Sequence, residues 1–186
     1  MSRVTILPFI ALLLTLRPAV AQGPTYHRGR AMTAEEVKAW DTTVGPEGKE
    51  LPPGSGTAKE GKPVWMRRCA ECHGADGKYQ WPYRLHGPSG GKGPMLVGEA
   101  DEPASANIWD YVRGKGVVRD RAFATTIWDY INRGMPLGEQ AGTLTPNEVY
   151  GVTAYLLYLN GIIHEEDVMD AKTLPKVRMP HGPRSK

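Results

Sequence analysis

The sequence is poor in cysteine, in strand-like alternation and in long apolar runs, and each shortage excludes a class of protein. Its only 2 cysteines lie close together, so no thiol is left for a structural disulfide or a four-thiolate metal centre. After residue 21 no segment is long and apolar enough to cross a bilayer. The formal net charge of only +3 gives nucleic-acid binding no support. We therefore expect a soluble protein without disulfides.

The first residues have the pattern of a secretory signal peptide. Arg3 supplies the positive charge, residues 6–16 form an apolar run, and Ala19-Val20-Ala21 is a small-x-small cleavage site. An uncleaved anchor is the alternative, although the run is short for a membrane span. We expect cleavage after about Ala21 and a periplasmic protein.

The two cysteines form a Cys-x-x-Cys-His motif, Cys69 to His73. Two thiols at this spacing can each add to one vinyl group of a single haem, and the adjacent histidine then ligates the iron. A redox-active dithiol and half of a zinc site share the Cys-x-x-Cys spacing. Zinc would need a second ligand pair, and a thioredoxin-like site would need a βαβ context that the surrounding sequence does not offer. The motif predicts one covalently bound haem c, held by Cys69, Cys72 and His73.

Capping patterns predict that the chain is all-α. Ser/Thr-x-x-Glu boxes mark three helix starts, namely Thr33 to Glu36, Thr57 to Glu60 and Thr145 to Glu148. The last helix should end at Asn160-Gly161. Shorter helices are expected at residues 107–113 and from Thr125 or Thr126 to Arg133. Strand patterns are scarce, and 22 glycines and 16 prolines predict long ordered loops.

The region from Thr57 to Asn160 resembles the class I cytochromes c. Gly61 and Trp65 precede the haem motif, and Gly151 and Tyr155 lie on the last helix. In that family a small residue and an aromatic on each of these helices allow the two to pack closely. The resemblance therefore implies a class I cytochrome c fold, here with long N- and C-terminal loop extensions.

Two further segments match that family. Gly93-Pro94-Met95-Leu96-Val97-Gly98 matches its Gly-Pro-x-Leu-x-Gly segment, which implies that the Pro94 carbonyl accepts a proton from Nδ1 of His73. Gly134-Met135-Pro136 follows a helix at the place of the family's distal methionine, which implies Met135 as the second axial ligand. The rivals of Met135 are an open site or a distal histidine: His27, His86, His164 or His181.

Charged and aromatic residues offer weaker assignments. Arg113, Arg133 and the indole of Trp128 are candidates to bond the haem propionates. Lys92, Lys115 and the same two arginines could steer an acidic partner, although each is also explained as ordinary solvated charge.

The flanking segments are similar to the leader and tail of cytochrome subunits that accompany molybdenum sulfite or sulfur dehydrogenases, including the SoxD type. Residues 30–41 and 48–56 carry the likeness on one side, and residues 144–161 and 170–180 on the other. SoxD-type chains often have a second haem domain, which this chain lacks, and residues 98–122 depart from the subgroup pattern. The expected organisation is a signal peptide (1–21), an extended strap with one short helix (22–56), a cytochrome c domain (57–160) and a C-terminal extension (161–186).

Two strong axial ligands leave the iron no open position for a substrate, so the chain is predicted to transfer single electrons without being an enzyme. The resemblance implies a molybdenum sulfite dehydrogenase as the electron donor and a downstream cytochrome or oxidase as the acceptor. The alternatives are a haem enzyme that acts directly on a sulfur compound or peroxide, and a haem-based sensor.

Overall fold

The computed structural model describes residues 29–78, 95–100, 103–104 and 116–182. Within these ranges five α-helices occur with two short strands and two 3₁₀ turns. The helices are α1 (Ala34–Trp40), α2 (Ala58–Arg68), α3 (Ala70–His73), α4 (Ala124–Gly134) and α5 (Pro146–Leu159). The strands are β1 (Ser55–Gly56) and β2 (Met169–Asp170), and the 3₁₀ turns are Gly138–Gln140 and Leu174–Lys176. The prediction of an all-α chain with long loops is confirmed, while the helix expected at residues 107–113 lies outside the described residues.

Helix α1 belongs to a separate N-terminal unit, residues 1–41. Its capping box is the predicted one, because the Thr33 hydroxyl accepts from the Glu36 amide and the Glu36 carboxylate accepts from the Thr33 amide. Arg30 also pairs with Glu36, and this guanidinium is the main reason that the pKa of Glu36 falls to about 2. These local bonds explain how a helix of only 7 residues is maintained.

Residues 42–186 form the second unit, in which α2 and α5 pack against each other through two glycines. Both helices start at the predicted capping boxes, with Thr57 and Thr145 as N-caps. A Cβ placed on Gly61 would overlap the Gly151 peptide and lie 2.8 Å from the Val152 nitrogen. Only glycine therefore allows the two backbones to come this close.

The segments on either side of the helical core pair with each other and add apolar side chains to it. Strands β1 and β2 are antiparallel, with Ser55 opposite Asp170 and Gly56 opposite Met169. The buried apolar residues contributed by these segments are Val44, Leu51, Met169, Leu174 and Met179. Residues 42–56 of the expected strap and the described part of the C-terminal extension thus contribute to the hydrophobic core.

Helix α4 holds the strap through a buried carboxylate. Asp129 accepts a 3.0 Å hydrogen bond from the Val44 amide and pairs with Arg133 one turn later. The helix begins at Ala124, one or two residues before the predicted start, and its N-cap Phe123 makes no side-chain capping bond. Packing of its buried face, which includes Ile127 and Trp128, replaces the missing cap as the stabilising factor.

Candidate functional site

The Cys-x-x-Cys-His motif lies where α2 passes into the single turn of α3. Cys69 is both the C-cap of α2 and the residue before α3, and its carbonyl accepts from the amides of Cys72 and His73 at 3.1 and 3.0 Å. Cys69 is half-buried, Cys72 is exposed and His73 is buried. The local backbone thus gathers all three predicted haem-attachment residues on one turn.

Burial raises the pKa of the Cys69 thiol to about 11, and the neighbouring Arg68 guanidinium offsets part of the rise. This thiol therefore stays protonated near neutral pH.

Trp65 connects α2 to the turn that follows the histidine. Its indole N–H is shared between the carbonyls of Gly74 and Ala75, at 3.1 and 3.2 Å. Its ring centroid lies 5.9 Å from that of His73 and 5.9 Å from that of Tyr155 on α5. The aromatic pair predicted between the first and last helices of the cytochrome region is therefore present, and it also borders the histidine.

The segment that follows the predicted Pro94 acceptor packs on the same turn. The amides of Leu96 and Val97 both donate to the Gly77 carbonyl, at 2.9 and 3.1 Å. Gly77 has φ +70°, and an added Cβ would come within 2.7 Å of the Val97 side chain. Pro94 itself lies outside the described residues, so its bond to His73 stays a prediction.

Met135 directly follows α4, as predicted from the Gly-Met-Pro pattern. Its amide donates to the Ile131 carbonyl at 3.1 Å, and its half-buried side chain packs against the hydrophobic core. Ligation of iron by Met135 stays a prediction.

Of the rival histidines, His27 and His86 lie outside the described residues. His164 is exposed, and Nε2 of His181 lies 3.8 Å from Oδ1 of Asp120.

Buried polar atoms on α4 test whether haem fits this chain. The Trp128 indole N–H and the Thr125 hydroxyl are both buried, and neither has a hydrogen-bond partner among the described residues. They lie three positions apart, hence on one face of the helix. Both can donate to a carboxylate, which is the group that haem propionates present, and buried donors normally have an acceptor. These two donors therefore suit the carboxylates of a bound haem.

Two arginines were also predicted as candidates to bond the haem propionates. Arg133 bonds Asp129, and Arg113 lies outside the described residues. Zinc gains no support, because no group of three or more His, Cys, Asp or Glu side chains in the described ranges could hold a metal ion.

The contacts of three buried polar residues were not predicted from the sequence: Arg119, Asp129 and Asn160. Asn160 was recognised only as a helix stop, and the sequence assigned no role to Arg119 or Asp129. The available signal at Asp129 was its place in the pattern Ile-Trp-Asp-Tyr, which occurs at residues 108–111 and again at 127–130. Each of them has at least one partner 41 to 85 residues away in sequence, and no local pattern encodes such distances.

No helix among the described residues is long and apolar enough to cross a membrane.

Comparisons with known proteins agree with this geometry. The family described as cytochrome c oxidase, cbb3-type, subunit III matches residues 56–156. No curated protein matches. The chain is similar to a solved structure, the sulfane dehydrogenase SoxCD from Paracoccus pantotrophus, with 30% identity and a TM-score of 0.63 over 84% of this chain and 69% of that chain. Because the family match spans more than half of the sequence, the chain belongs to this cytochrome c family, and its cytochrome c domain implies haem binding and electron transfer.

Proposed function

We propose that this chain is a periplasmic mono-haem cytochrome c that takes single electrons from a molybdenum sulfite or sulfur dehydrogenase and passes them to the respiratory chain. In this proposal Cys69 and Cys72 attach the haem, His73 and Met135 are the axial ligands, and the Pro94 carbonyl orients the histidine.

The attachment part of the proposal rests on the motif and on the local structure. Cys69, Cys72 and His73 share one turn, and Trp65 supports that turn through its two carbonyl bonds. Haem, when bound, supplies a one-electron iron couple. The buried Trp128 indole and Thr125 hydroxyl are suited to hold its propionates.

The donor part of the proposal is carried by one observation, the likeness to the sulfane dehydrogenase SoxCD over 84% of this chain at 30% identity. The flanking segments resemble cytochrome subunits that accompany molybdenum sulfite or sulfur dehydrogenases. Sulfite and sulfane sulfur are therefore the two donor substrates to compare, with sulfite tested first.

The electron count gives the proposal a stoichiometric test. Oxidation of sulfite to sulfate takes one oxygen from water and releases two protons and two electrons. A chain with one Cys-x-x-Cys-His motif accepts one electron at a time, so two molecules must be reduced for each sulfite consumed. The dehydrogenase, rather than this chain, holds the site at which the new sulfur–oxygen bond forms.

Stopped-flow reduction of the ferric holoprotein tests the function. We expect no reduction by sulfite alone, and fast, salt-sensitive reduction when the periplasmic molybdenum dehydrogenase of the same organism is added. The same mixture with a persulfide in place of sulfite separates the two substrates. A variant with Cys69 and Cys72 both replaced by alanine, which cannot attach haem covalently, serves as the control.

Each outcome decides between the interpretations. Reduction by sulfite or persulfide without the dehydrogenase would contradict the carrier and favour a haem enzyme. Reduction with the dehydrogenase and persulfide, but not with sulfite, would move the donor to the sulfane class. If the dehydrogenase and either substrate left the cytochrome oxidised, the proposed donor would be wrong.

Export is tested separately by cell fractionation and N-terminal sequencing. We expect the mature chain in the periplasm, beginning at about Gln22. A cytoplasmic chain that still began at Met1 would contradict this part of the proposal.

A further inference from the structure

Asn160, the residue that follows α5, uses its whole side chain to hold the segment of residues 95–100. It is only 4% exposed. Its Oδ1 accepts from the Gly98 amide at 3.1 Å, and its Nδ2 donates to the Leu96 and Leu156 carbonyls at 3.5 and 2.8 Å. One amide group thus ties the end of α5 to two positions of this segment.

Arg119 forms a second clamp on the same segment. Its buried guanidinium donates to the Asn160 carbonyl at 2.6 Å and to the Ala100 carbonyl at 2.7 Å. The neighbouring Val118 amide donates to the Leu96 carbonyl at 3.3 Å. The segment is therefore bonded both at its middle and at its end.

A continuous path of contacts joins this clamp to His73. The amides of Leu96 and Val97 bond the carbonyl of Gly77, which lies in the turn after the histidine. Trp65 bonds the same turn and packs against the His73 ring. A shift of residues 95–100 would therefore be transmitted to the turn that carries the predicted iron ligand.

We propose that Asn160, together with Arg119, is a positioning residue that holds residues 95–100 against the histidine side of the haem and thereby raises the reduction potential. This inference rests on the proposed haem attachment at Cys69 and Cys72 and is independent of the electron donor.

The expected direction follows from the cost of unpaired polar groups. Without the Asn160 side chain, the Gly98 amide loses its partner inside the protein and the Leu96 carbonyl keeps only the Val118 amide, so the segment opens to find water. Water near the iron stabilises the more highly charged ferric state, because haem burial is one of the factors that set the potential. The potential should therefore fall.

The test measures the reduction potential of holoprotein variants together with hydrogen exchange at the Gly98 amide. The first variant is Asn160→Ala. Its matched control is Asn147→Ala in the first turn of α5, because Asn147 Oδ1 also accepts a backbone hydrogen bond, from the Ser55 amide at 3.0 Å. The second variant is Arg119→Lys, which keeps the charge but loses the two-pronged geometry. Any change in its potential therefore reports position and not net charge.

We expect Asn160→Ala to shift the ferric–ferrous equilibrium roughly tenfold toward ferric, which is about 59 mV for a one-electron couple, and to speed exchange at Gly98 at least tenfold. Arg119→Lys should shift the equilibrium in the same direction by a smaller factor. Asn147→Ala should leave both quantities unchanged, because its bond holds the strap.

Unchanged potentials in Asn160→Ala and Arg119→Lys would overturn the inference, even if both variants were less stable. If Asn160→Ala failed to fold, Arg119→Lys alone would decide. Covalent haem in the wild-type chain is checked first by mass spectrometry, since its absence would overturn the proposed function itself. Covalent haem with unchanged potentials would overturn the positioning role only.

Discussion

Replacing either glycine at the contact of α2 and α5 should destabilise the protein, and the two replacements should differ in size. At Gly151 an added Cβ would lie 3.0 Å from the Gly61 Cα, whereas ordinary contact begins at 3.4 Å. The helices would have to separate by about 0.4 Å, the difference between these two distances. At Gly61 the Cβ would overlap the Gly151 peptide outright, so a larger separation is needed.

The magnitudes follow from two opposing terms. Overpacking a core contact costs about 1–3 kcal/mol, and replacing a helical glycine with alanine returns up to about 1 kcal/mol of backbone entropy. Gly151→Ala should therefore lose roughly 0–2 kcal/mol, and Gly61→Ala, at the upper end of the overpacking range, at least about 2 kcal/mol. For a chain of this size each kcal/mol lowers the melting temperature by about 2–4 °C.

Gly134, the last residue of α4, is the matched control because an added Cβ there would meet nothing within 4 Å. Gly134→Ala should be neutral or stabilise by up to about 1 kcal/mol. Urea titration of the three holoproteins measures the free energy of unfolding. If Gly61→Ala proved as stable as Gly134→Ala, the close approach of α2 and α5 would not require glycine at residue 61.

Three further changes test the site, the strap and the last helix. Met135→His should lower the reduction potential, because a thioether ligand favours ferrous iron more than an imidazole does. A redox titration checks this, with Met66→Leu as the control because Met66 is an exposed methionine on α2. An unchanged potential in Met135→His would remove Met135 from the ligand set. Asp129→Ala should lower the free energy of unfolding by about 1.5–3 kcal/mol, since it leaves the Val44 amide without its carboxylate partner. Asp129→Asn keeps an acceptor and should lose less in the same urea titration; equal losses would argue against the bond to Val44. The bond from the Thr145 amide lowers the pKa of Glu148 below its ordinary value of 4.5. The contribution of this carboxylate to the free energy of unfolding is therefore present above pH 4.5 and is lost as the pH falls through the lowered pKa of the folded state. In Glu148→Gln the free energy of unfolding should no longer show this decrease at acid pH, which amounts to up to roughly 1 kcal/mol, when it is measured from pH 7 to pH 3. If the variant and the wild type depended on pH in the same way, Glu148 would not be the group responsible.

Local patterns were sufficient to predict most of the helices. The three capping boxes occur where the sequence predicts them, because each box is a reciprocal pair of bonds within four residues. The helix stop at Asn160 was equally local. The predicted start of α4 was one or two residues too late, since the helix starts where burial allows it and not at a capping side chain.

In the candidate site, too, the residues that are neighbours in sequence were the ones that could be predicted. The sequence predicts that Cys69, Cys72 and His73 lie together, since they are neighbours in the chain and one turn of helix holds them, while haem attachment by them stays a prediction. The likeness to class I cytochromes c also predicted the contacts of Gly61 with Gly151 and of Trp65 with Tyr155.

The sequence by itself determined the three capped helix starts, the helix stop at Asn160, the Cys-x-x-Cys-His motif and the family. Only the tertiary structure decided that Asp129 fastens the strap, that Asn160 and Arg119 clamp residues 95–100, and that the terminal segments pair as β1 and β2. The physical reason is the range of the interactions. A cap or a Cys-x-x-Cys-His turn is completed within a few residues, whereas a buried polar group takes its partner from whichever distant segment the packed core places beside it.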